Sequence, residues 1–545
     1  MSNNILYFKD FPQTKHIALT VRNALIECKN TGKNTLIFEK REYYCTPETA
    51  AGGVYAFSNH SPAGYKKSVF LLKDMKNFTV DCGGSTFVLS NPMNLFILDN
   101  CENITIKNFA VKTVNTMSCS GKVIASDKES FDVRLLTQQP YRVWHDFVYF
   151  GEEFKPWCHP DAIYAMLECD AENRQIRRDR SDAYTDDFVF SDKGGGIINV
   201  KTNGAMEPIV GNTVIFIDAS RESSLIAIQK SQNITIENYT AYSGVGMGVI
   251  AQRSSNITVD GMKTLCETDE RGFSINADAT HFVNCNGQIT VKNSYFEGQL
   301  DDALNVHGVY GRITDKGKDY ILVRYMHKDQ YGIDIFEDGI DIEISDPETM
   351  LPKARHTVSR TEALNDRMTV LYFDEDISDV EVGDNIEDIT NVPEVLFENN
   401  RSRFNRARGI LLASRGRTVV RNNYFNSAGG AIVFESNGTF WFESGCVRNV
   451  LIEGNTFDDC LHSGWSDGVI DIRPRSKREE NRYFHKNIRI TNNTFMNCSR
   501  GVLLRANDTD GIRFEDNIIK NCKAEISEYD HCRKLIKGGS SDENQ

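Results

Sequence analysis

Cysteine is scarce in this chain, and its spacing does not fit a metal site or a cross-linked scaffold. The 545 residues include 14 cysteines, and no two of them form a C-x-x-C pair. A disulfide scaffold has a much higher cysteine density, and a structural zinc site uses closely paired ligands. We therefore expect the cysteines to be small, buried core residues.

Long apolar runs and clusters of positive charge are also missing. No apolar run approaches the ~18 residues of a transmembrane helix, and residues 1–6 lack the charged-then-apolar plan of a signal peptide. The sequence therefore predicts no membrane span, and either a cytoplasmic protein or an exported one whose leader has been removed. The net charge of −14 without a basic cluster argues against a nucleic-acid partner, because phosphates require concentrated Lys and Arg.

What the chain does contain is a recurring phrase. An alternating, β-forming stretch ends in Asn or Gly, as in residues 103–109 and 233–239, and later copies such as Asn493 and Asn517 lie 24 residues apart. A repeat of this length with two or three short strands is typical of one coil of a parallel β-helix, which buries its inward side chains only by stacking on its neighbours. Asn suits the bends because it tolerates left-handed backbone, and stacked Asn side chains can bond along the axis.

Two stretches that lack the phrase alternate apolar and polar residues as antiparallel strands do. We therefore predict an all-β fold, a right-handed parallel β-helix with two small inserted β-barrel-like modules. An amphipathic helix over residues 18–29 is expected to cap the first coils. The expected segments are residues 1–112 (cap and first coils), 113–220 (inserted module), 221–308 (coils with the candidate acids), 309–391 (second module) and 392–545 (last coils and tail).

The densest acidic phrase of the predicted coils begins at Asp301 and Asp302, and Asp278 lies about one coil upstream. Cleavage of a glycosidic bond needs two carboxyl groups, one protonated and one ionised. Acids on neighbouring coils would lie about 4.8 Å apart, where like charges raise one pKa. Counting 23 residues superposes Asp278 on Asp301, whereas aligning the Gly-led strands places Asp278 opposite Gly308, so spacing alone leaves the facing pair open.

The octapeptide at residues 301–308, DDALNVHG, together with Asp278, resembles the signature of glycoside hydrolase family 110. Members of that family are α-1,3-galactosidases that remove terminal galactose from blood-group-B-like and related glycans, and they have a β-helix interrupted by two β-barrel modules. The resemblance implies an exo-acting, inverting hydrolase without metal or other cofactor. It matches the acid to Asp278 and the base to Asp301 or Asp302.

Further residues are expected to bind a sugar. Trp441 and Glu443 lie in an aromatic-rich segment, where an indole ring could stack on the apolar face of galactose and a carboxylate could bind its hydroxyls. Glu435 and Asp471 end two Gly-led strands and could project into the same groove. The complete set of predicted substrate ligands is Asn276, Asn305, His307, Glu435, Trp441, Glu443 and Asp471.

Two other interpretations remain open from the residues alone. One is a different β-helix carbohydrate enzyme, either a polygalacturonase-like hydrolase or a pectate-lyase-like enzyme that would need calcium and cationic residues for its acidic polymer. The other is a glycan-binding β-helix without activity, which would leave the three aspartates unexplained. The expected partner is a glycan with terminal α-galactose, and a flat face of the solenoid could also pair two copies as a homodimer.

Overall fold

The computed structural model describes residues 4–60, 63–137, 139–151, 162–268, 271–538 and 541–542. Most strands belong to one large, mainly parallel sheet that winds into a β-helix, as the repeat predicted. Short 3-10 turns lie at Phe8–Asp10, Pro47–Thr49 and Lys328–Gln330. Among the described residues, none of the helices has the length and apolar character needed to cross a membrane.

The β-helix has three faces. The site face contains Ala51–Tyr55, Gly64–Lys73, Asn94–Asp99, Ile226–Gln229, Val249–Gln252, Thr280–Val283, Leu304–Val309, Ile410–Leu412, Ile432–Phe434, Gly468–Ile472, Val502–Glu515 and Glu525–Gly538, and the last two strands continue onto the second face. The second face contains Ile5–Tyr7, Thr35–Ile37, Lys76–Leu89, Glu102–Thr113, Gln232–Ala241, Ser255–Asp260, Asn286–Lys292, Glu394–Glu398, Thr418–Arg421, Val450–Glu453 and His485–Thr491. The third contains Glu42–Cys45, Lys263–Thr264, Tyr295–Glu297, Arg401–Arg403, Tyr424–Asn426, Thr456–Asp458, Thr494–Met496, Ile518–Lys520 and Ser541–Asp542.

One helix, Ile17–Thr31, lies at the amino-terminal end of the coils. It buries the stripe formed by Val21, Ala24, Leu25 and Cys28 in the same core as the first coils, as expected of a cap. It ends at Gly32, which has a φ of 69° and donates its N–H to the carbonyl of Cys28. Glycine suits this left-handed end because it has no Cβ.

Alternation along the site face decides which side chains enter the core. Leu304 and Val306 point inward and join the continuous apolar core, while Asn305 and His307 point outward. Parallel pairing places Thr280 beside Leu304 and Leu304 beside Ile410, so residues of the same position stack from coil to coil. The outward positions of this face therefore form columns along the solenoid.

Asparagine ladders run along the bends, as the repeat predicted. Asn233 has a φ of 56° and donates its side-chain amide to Asn103 at 2.9 Å, and Asn256 donates in turn to Asn233 at 3.0 Å. A second, buried ladder joins Asn455, Asn493 and Asn517 through side-chain bonds of 3.0 Å each.

Two antiparallel sheets interrupt the coils. The first contains Cys119–Ser126, Ser130–Leu135, Ile163–Cys169, Ala183–Tyr184, Val189–Gly194, Ile197–Lys201 and Thr213–Asp218, with the hairpin Tyr141–Trp144 and Phe147–Phe150 beside it. The second contains Gly311–Lys316, Tyr320–Tyr325, Asp341–Ser345, Pro352–Thr357, Arg360–Ala363, Met368–Tyr372 and Asn385–Asp388. Each has its own apolar cluster, and the short strand Glu443–Ser444 pairs with the end of Leu304–Val309.

Candidate active site

The three aspartates lie together on the site face. Thr280 pairs with Leu304, an offset of 24 residues. Continued by two residues, this register places Asp278 beside Asp302, and the amide of Asp302 donates to Oδ1 of Asp278 at 3.0 Å. Both sequence alignments were therefore wrong about the facing residue, which is neither Asp301 nor Gly308.

Asp302 is fully buried and holds an arginine from the next coil. Arg408 donates from Nε to Oδ1 at 2.9 Å and from Nη2 to Oδ2 at 2.8 Å, a bidentate ion pair. Burial raises the pKa of Asp302, Arg408 opposes this rise, and the charges of Asp301 and Asp278 add to it. Asp302 thus fixes Arg408 and, through its amide, Asp278.

Asp301 is the most accessible of the three carboxyl groups, with 14% of its side chain exposed against 3% for Asp278 and none for Asp302. Arg221 donates to its Oδ2 at 3.0 Å, and Nη2 of Arg408 lies 3.4 Å from its Oδ1. Although burial opposes ionisation, Arg408 and Arg221 hold the pKa of Asp301 below its ordinary value. Asp301 is therefore an ionised carboxylate that a water molecule can approach.

Asp278 is paired with a histidine instead of an arginine. Its Oδ2 lies 2.6 Å from Nδ1 of His281. Burial and then the negative charge of Asp301 raise the pKa of Asp278 to about 8, against the opposing charges of Arg221 and Arg408. Asp278 therefore keeps its proton at neutral pH, so the site contains one protonated and at least one ionised carboxyl group.

The nearest oxygens of the three carboxyl groups all lie within 4.8 Å of one another. Such a cluster can be stabilised by a cation, by a shared proton or by fixed positive groups. Here the guanidinium groups of Arg221 and Arg408 lie against Asp301 and Asp302, and the third carboxyl group bonds to His281. The two guanidinium groups thus supply the positive charge that faces this cluster of carboxyl groups.

His307 and Glu443 continue the site beyond His281. Nε2 of His307 lies 2.9 Å from Nε2 of His281, and its Nδ1 lies 2.7 Å from the carbonyl oxygen of Gly308. Oε1 of Glu443 lies 3.7 Å from Nε2 of His307 and accepts a hydrogen bond from Asn59 at 2.7 Å. The structure therefore connects two of the predicted ligands with the aspartates, although the His307 side chain is only 1% exposed.

Glu435 and Asp471 lie on later coils of the same face and share an arginine. Arg473 lies 2.7 Å from Oε2 of Glu435 and 3.4 Å from Oδ2 of Asp471. Asp471 is fully buried, whereas 12% of the Glu435 side chain is exposed. Of these two predicted ligands, Glu435 is the one that a sugar could reach.

The two predicted asparagine ligands differ in their use. The Asn276 amide donates to the carbonyl groups of Asp218 and Ser220, so this side chain ties the coil to the end of the first inserted sheet. Asn305 pairs with His281 on the neighbouring strand, and its Oδ1 is buried without a hydrogen-bond partner among the described residues. These contacts favour a structural role for Asn276 and leave Asn305 beside the aspartates.

Trp441 is 43% exposed. Its ring centroid is 5.1 Å from that of Phe440 and 4.9 Å from that of His327, which belongs to the second inserted segment. Gln330 donates to the Trp441 carbonyl at 3.1 Å and fixes the backbone beneath the ring. The Trp441 ring is therefore open to solvent, and its contact with a sugar stays a prediction.

Comparison with known proteins shows which family this chain resembles. Residues 395–540 match a family model described as a right handed beta helix region, and residues 320–386 match one described as GLAA-B beta-barrel domain II. Alpha-1,3-galactosidase A of Shewanella woodyi is 32% identical over 518 residues, covering 93% of this chain and 83% of that protein. Alpha-1,3-galactosidase B of Parabacteroides distasonis is 30% identical over 530 residues, covering 91% and 84%.

The chain belongs to the alpha-1,3-galactosidase A/B family. This is the family that the octapeptide predicted, glycoside hydrolase family 110, and it makes the chain a glycosidase. Among solved structures, the family 28 exopolygalacturonase of Yersinia enterocolitica aligns over 98% of this chain and 78% of that chain, with 10% identity and a TM-score of 0.43.

Four residues of the site were not predicted from the sequence. They are Arg221, His281, Arg408 and Asn59. His281 and Arg408 had a detectable signal, since His281 follows Asp278 by three residues and Arg408 precedes a Gly-led strand as Asp302 precedes its own strand. Arg221 and Asn59 reach the site from loops, where the repeat gives no register.

Proposed function

We propose that this chain is an exo-acting α-1,3-galactosidase that hydrolyses terminal α-linked galactose with inversion, using Asp278 as the general acid and Asp301 as the general base. The observation that carries the proposal is the contrast between two neighbouring carboxyl groups, since Asp301 lies against Arg221 and Arg408 whereas Asp278 is buried against His281. Burial and Asp301 keep Asp278 protonated by raising its pKa to about 8, whereas Arg408 and Arg221 keep Asp301 ionised. Family membership supplies the α-1,3-galactoside as the substrate.

The mechanism follows from these two states. The carboxyl group of Asp278 gives its proton to the glycosidic oxygen while the bond to the anomeric carbon breaks. The Asp301 carboxylate takes a proton from the water that attacks this carbon, and Arg221 and Arg408 orient that carboxylate. Asp302 is the positioning residue, because it holds Arg408 and the Asp278 carboxyl group.

Exo-action is supported by the loops around the carboxyl groups. Arg221 reaches across from the end of the first inserted sheet, and its Nη1 lies 3.5 Å from the carbonyl oxygen of Asn59. Arg406 bonds to Asp182 of the first inserted segment and, through Nη1, to the carbonyl of Leu300 at 3.1 Å. Loops that reach over the carboxyl groups suit a chain terminus better than a continuous polymer.

Inversion is proposed from the family resemblance, because the distance between the carboxyl groups does not decide between inversion and retention. Inverting enzymes generally separate their carboxyl groups by ~6.5–9.5 Å, and retaining enzymes by ~5–5.5 Å. The nearest oxygens here lie within 4.8 Å. Because the family resemblance implies inversion, time-resolved proton NMR during cleavage of galactosyl-α-1,3-galactose should show β-galactose first, and α-galactose as the first anomer would contradict inversion.

Two substrates with different leaving groups distinguish the role of Asp278 as general acid from the role of Asp301 as general base. Asp278→Asn should lose ~100-fold or more in kcat on the disaccharide but much less on an aryl α-galactoside whose leaving group needs no proton. Asp301→Asn should lose activity on both substrates.

EDTA treatment should leave the wild-type rate unchanged if arginines alone balance the carboxylates, and loss on chelation restored by calcium would contradict this charge balance.

A further inference from the structure

Glu443 differs from the other carboxyl groups of the site, because no Lys or Arg of the described residues lies against it. Asp301, Asp302 and Glu435 each contact an arginine. Within the described part of the chain, the one basic side chain within 4 Å of the Glu443 carboxylate is His307, whose Nε2 lies 3.7 Å from Oε1. A partly buried carboxylate without a cation keeps unused capacity to accept hydrogen bonds, which the hydroxyl groups of a sugar can fill.

Glu443 is near both the aspartates and the Trp441 ring. Two histidines show this, because burial lowers the pKa of His281 and of His327, and the negative charge of Glu443 opposes the decrease at each ring. His281 bonds to Asp278, and His327 packs against Trp441 with ring centroids 4.9 Å apart. A sugar stacked on Trp441 with its glycosidic bond at Asp278 would therefore have Glu443 within reach.

One hydrogen bond fixes the orientation of this carboxylate. Nδ2 of Asn59 donates to Oε1 of Glu443 at 2.7 Å. A carboxylate only accepts, so it is the amide nitrogen of Asn59 that faces it. The other oxygen of Glu443, Oε2, accepts no hydrogen bond from the described residues, and 12% of the side chain is exposed. One oxygen of Glu443 is thus anchored, and the other is open to a ligand.

Asn59 is itself held in place by its side chain and by its backbone. Its φ is 58°, in the left-handed region that asparagine tolerates, and its Oδ1 accepts from the Ser58 hydroxyl at 2.8 Å. Its backbone N–H donates to the carbonyl of Asp329, in the second inserted segment, at 3.1 Å. Its carbonyl accepts from Arg221, at the end of the first inserted sheet, at 3.5 Å. The backbone of Asn59 therefore contacts both inserted segments, while its side chain is left to orient Glu443.

We propose that Asn59 is a positioning residue for substrate binding, which holds Oε1 of Glu443 so that Oε2 accepts a hydrogen bond from a hydroxyl group of the terminal galactose. The inference rests on the galactosidase function proposed above and adds to it the residue that aligns a sugar ligand. Asn59 acts through Glu443 and does not touch the reacting atoms. Loss of its side chain leaves the three aspartates and their arginines in place, so it should affect KM more than kcat.

Asn59→Gly removes the side chain and keeps the backbone, because glycine adopts the left-handed conformation without strain. KM for galactosyl-α-1,3-galactose should rise ~10-fold, and kcat should change by less than ~3-fold. The matched control is Asn108→Gly on the second face, since Asn108 also has a left-handed φ, of 61°, and donates its amide to the Asp81 carboxylate at 2.9 Å. An unchanged KM in Asn59→Gly, or an equal change in both variants, would overturn the inference.

Exchanging the two partners separates positioning from a purely structural bond. In the double variant Asn59→Asp/Glu443→Gln the amide and the carboxylate change places, so one hydrogen bond still joins the two side chains. The melting temperature should be close to that of the wild type. KM should nevertheless stay raised by ~10-fold or more, because a neutral amide oxygen binds a hydroxyl more weakly than a carboxylate does. Wild-type KM together with wild-type stability would show that the bond is structural only.

Galactose binding, measured by titration calorimetry, separates this inference from the proposed activity. The Kd for galactose should rise ~10-fold in Asn59→Gly and stay unchanged in Asn108→Gly. That result in a protein that cleaves no α-galactoside would overturn the activity but support the role of Asn59. Equal binding by the wild type and Asn59→Gly would overturn this role even in an active enzyme. A wild type that neither binds galactose nor cleaves an α-galactoside would overturn both.

Discussion

Asp278 connects the chemistry of the site to the stability of the protein. Its pKa rises from an ordinary 3.8 to about 8 on folding, so the folded state holds a proton that the unfolded state loses as pH increases. This contribution to stability is fully present below about pH 4 and is lost as the pH rises to about 8. Activity that needs the protonated acid should decline over the upper part of the same range.

Asp278→Asn tests this linkage. The asparagine amide can donate to His281 and accept from the amide of Asp302, as the protonated carboxyl group does. Because asparagine does not titrate, the melting temperature of the variant relative to the wild type should increase steadily from pH 5 to pH 8. Calorimetric scans across this range measure the difference, and a constant difference would show that Asp278 is not protonated in the folded protein.

Trp441 is a single residue whose substitution is expected to affect substrate binding. Its half-exposed ring is held against His327 and Phe440, and a galactose ring stacked on it would be lost in Trp441→Ala. We expect KM to rise by ~10-fold, about 1.4 kcal/mol, with little change in kcat or melting temperature. The control is Trp144→Ala, an exposed tryptophan of the first inserted segment; equal kinetics in the two variants would assign Trp441 to packing alone.

At the scale of the coil, the buried asparagine ladder replaces backbone partners that the bends leave open. Asn493 accepts from the backbone N–H of Asn455 at 2.9 Å and from its side chain at 3.0 Å, and it donates to the Ile452 carbonyl. Asn493→Ala leaves these groups buried without partners, at a cost of at least ~2 kcal/mol. Urea unfolding should show the loss, whereas Asn365→Ala, in an exposed turn, should change stability by less than ~0.5 kcal/mol.

The coil also shows where sequence reasoning succeeds and where it stops. Composition and repeat predicted the cap helix, the ladders and the coils, because each depends on local alternation and bend residues. The register between coils depends on corner length, and one residue decides which side chains share a face. The offset of 24 brings Asp302 beside Asp278, while counting 23 had selected Asp301.

Over the whole molecule, the site is assembled from distant segments. Asn59 comes from a loop of the first coils and Arg221 from the end of the first inserted sheet. Asp301 lies on a central coil, and Glu443 lies in the short strand that pairs with the end of Leu304–Val309. The repeat could not predict contacts between such loops, because they depend on how the inserted sheets lie against the coils. Arg408 could have been predicted from the repeat, because it occupies the same position of its coil as Asp302.

The second inserted sheet is held to the coils by a buried ion cluster. Arg415, in the loop after Ile410–Leu412, bonds to Glu343 and Glu387, whose side chains are 0% and 3% exposed. Arg415→Met would leave both carboxylates without this cation, at a cost of about 3–5 kcal/mol. Arg360→Met is the control, because Arg360 pairs with Glu362 on an exposed surface where such pairs contribute little.

The loss in Arg415→Met should depend on pH in a definite direction. Burial already raises the pKa of Glu387 against the opposing charge of Arg415, so removing the arginine should raise it further. A carboxyl group with a raised pKa in the folded state favours folding at low pH and loses that contribution as pH rises. The melting temperature of Arg415→Met should therefore fall further below wild type at pH 8 than at pH 5, whereas a gap independent of pH would indicate lost packing instead of lost charge.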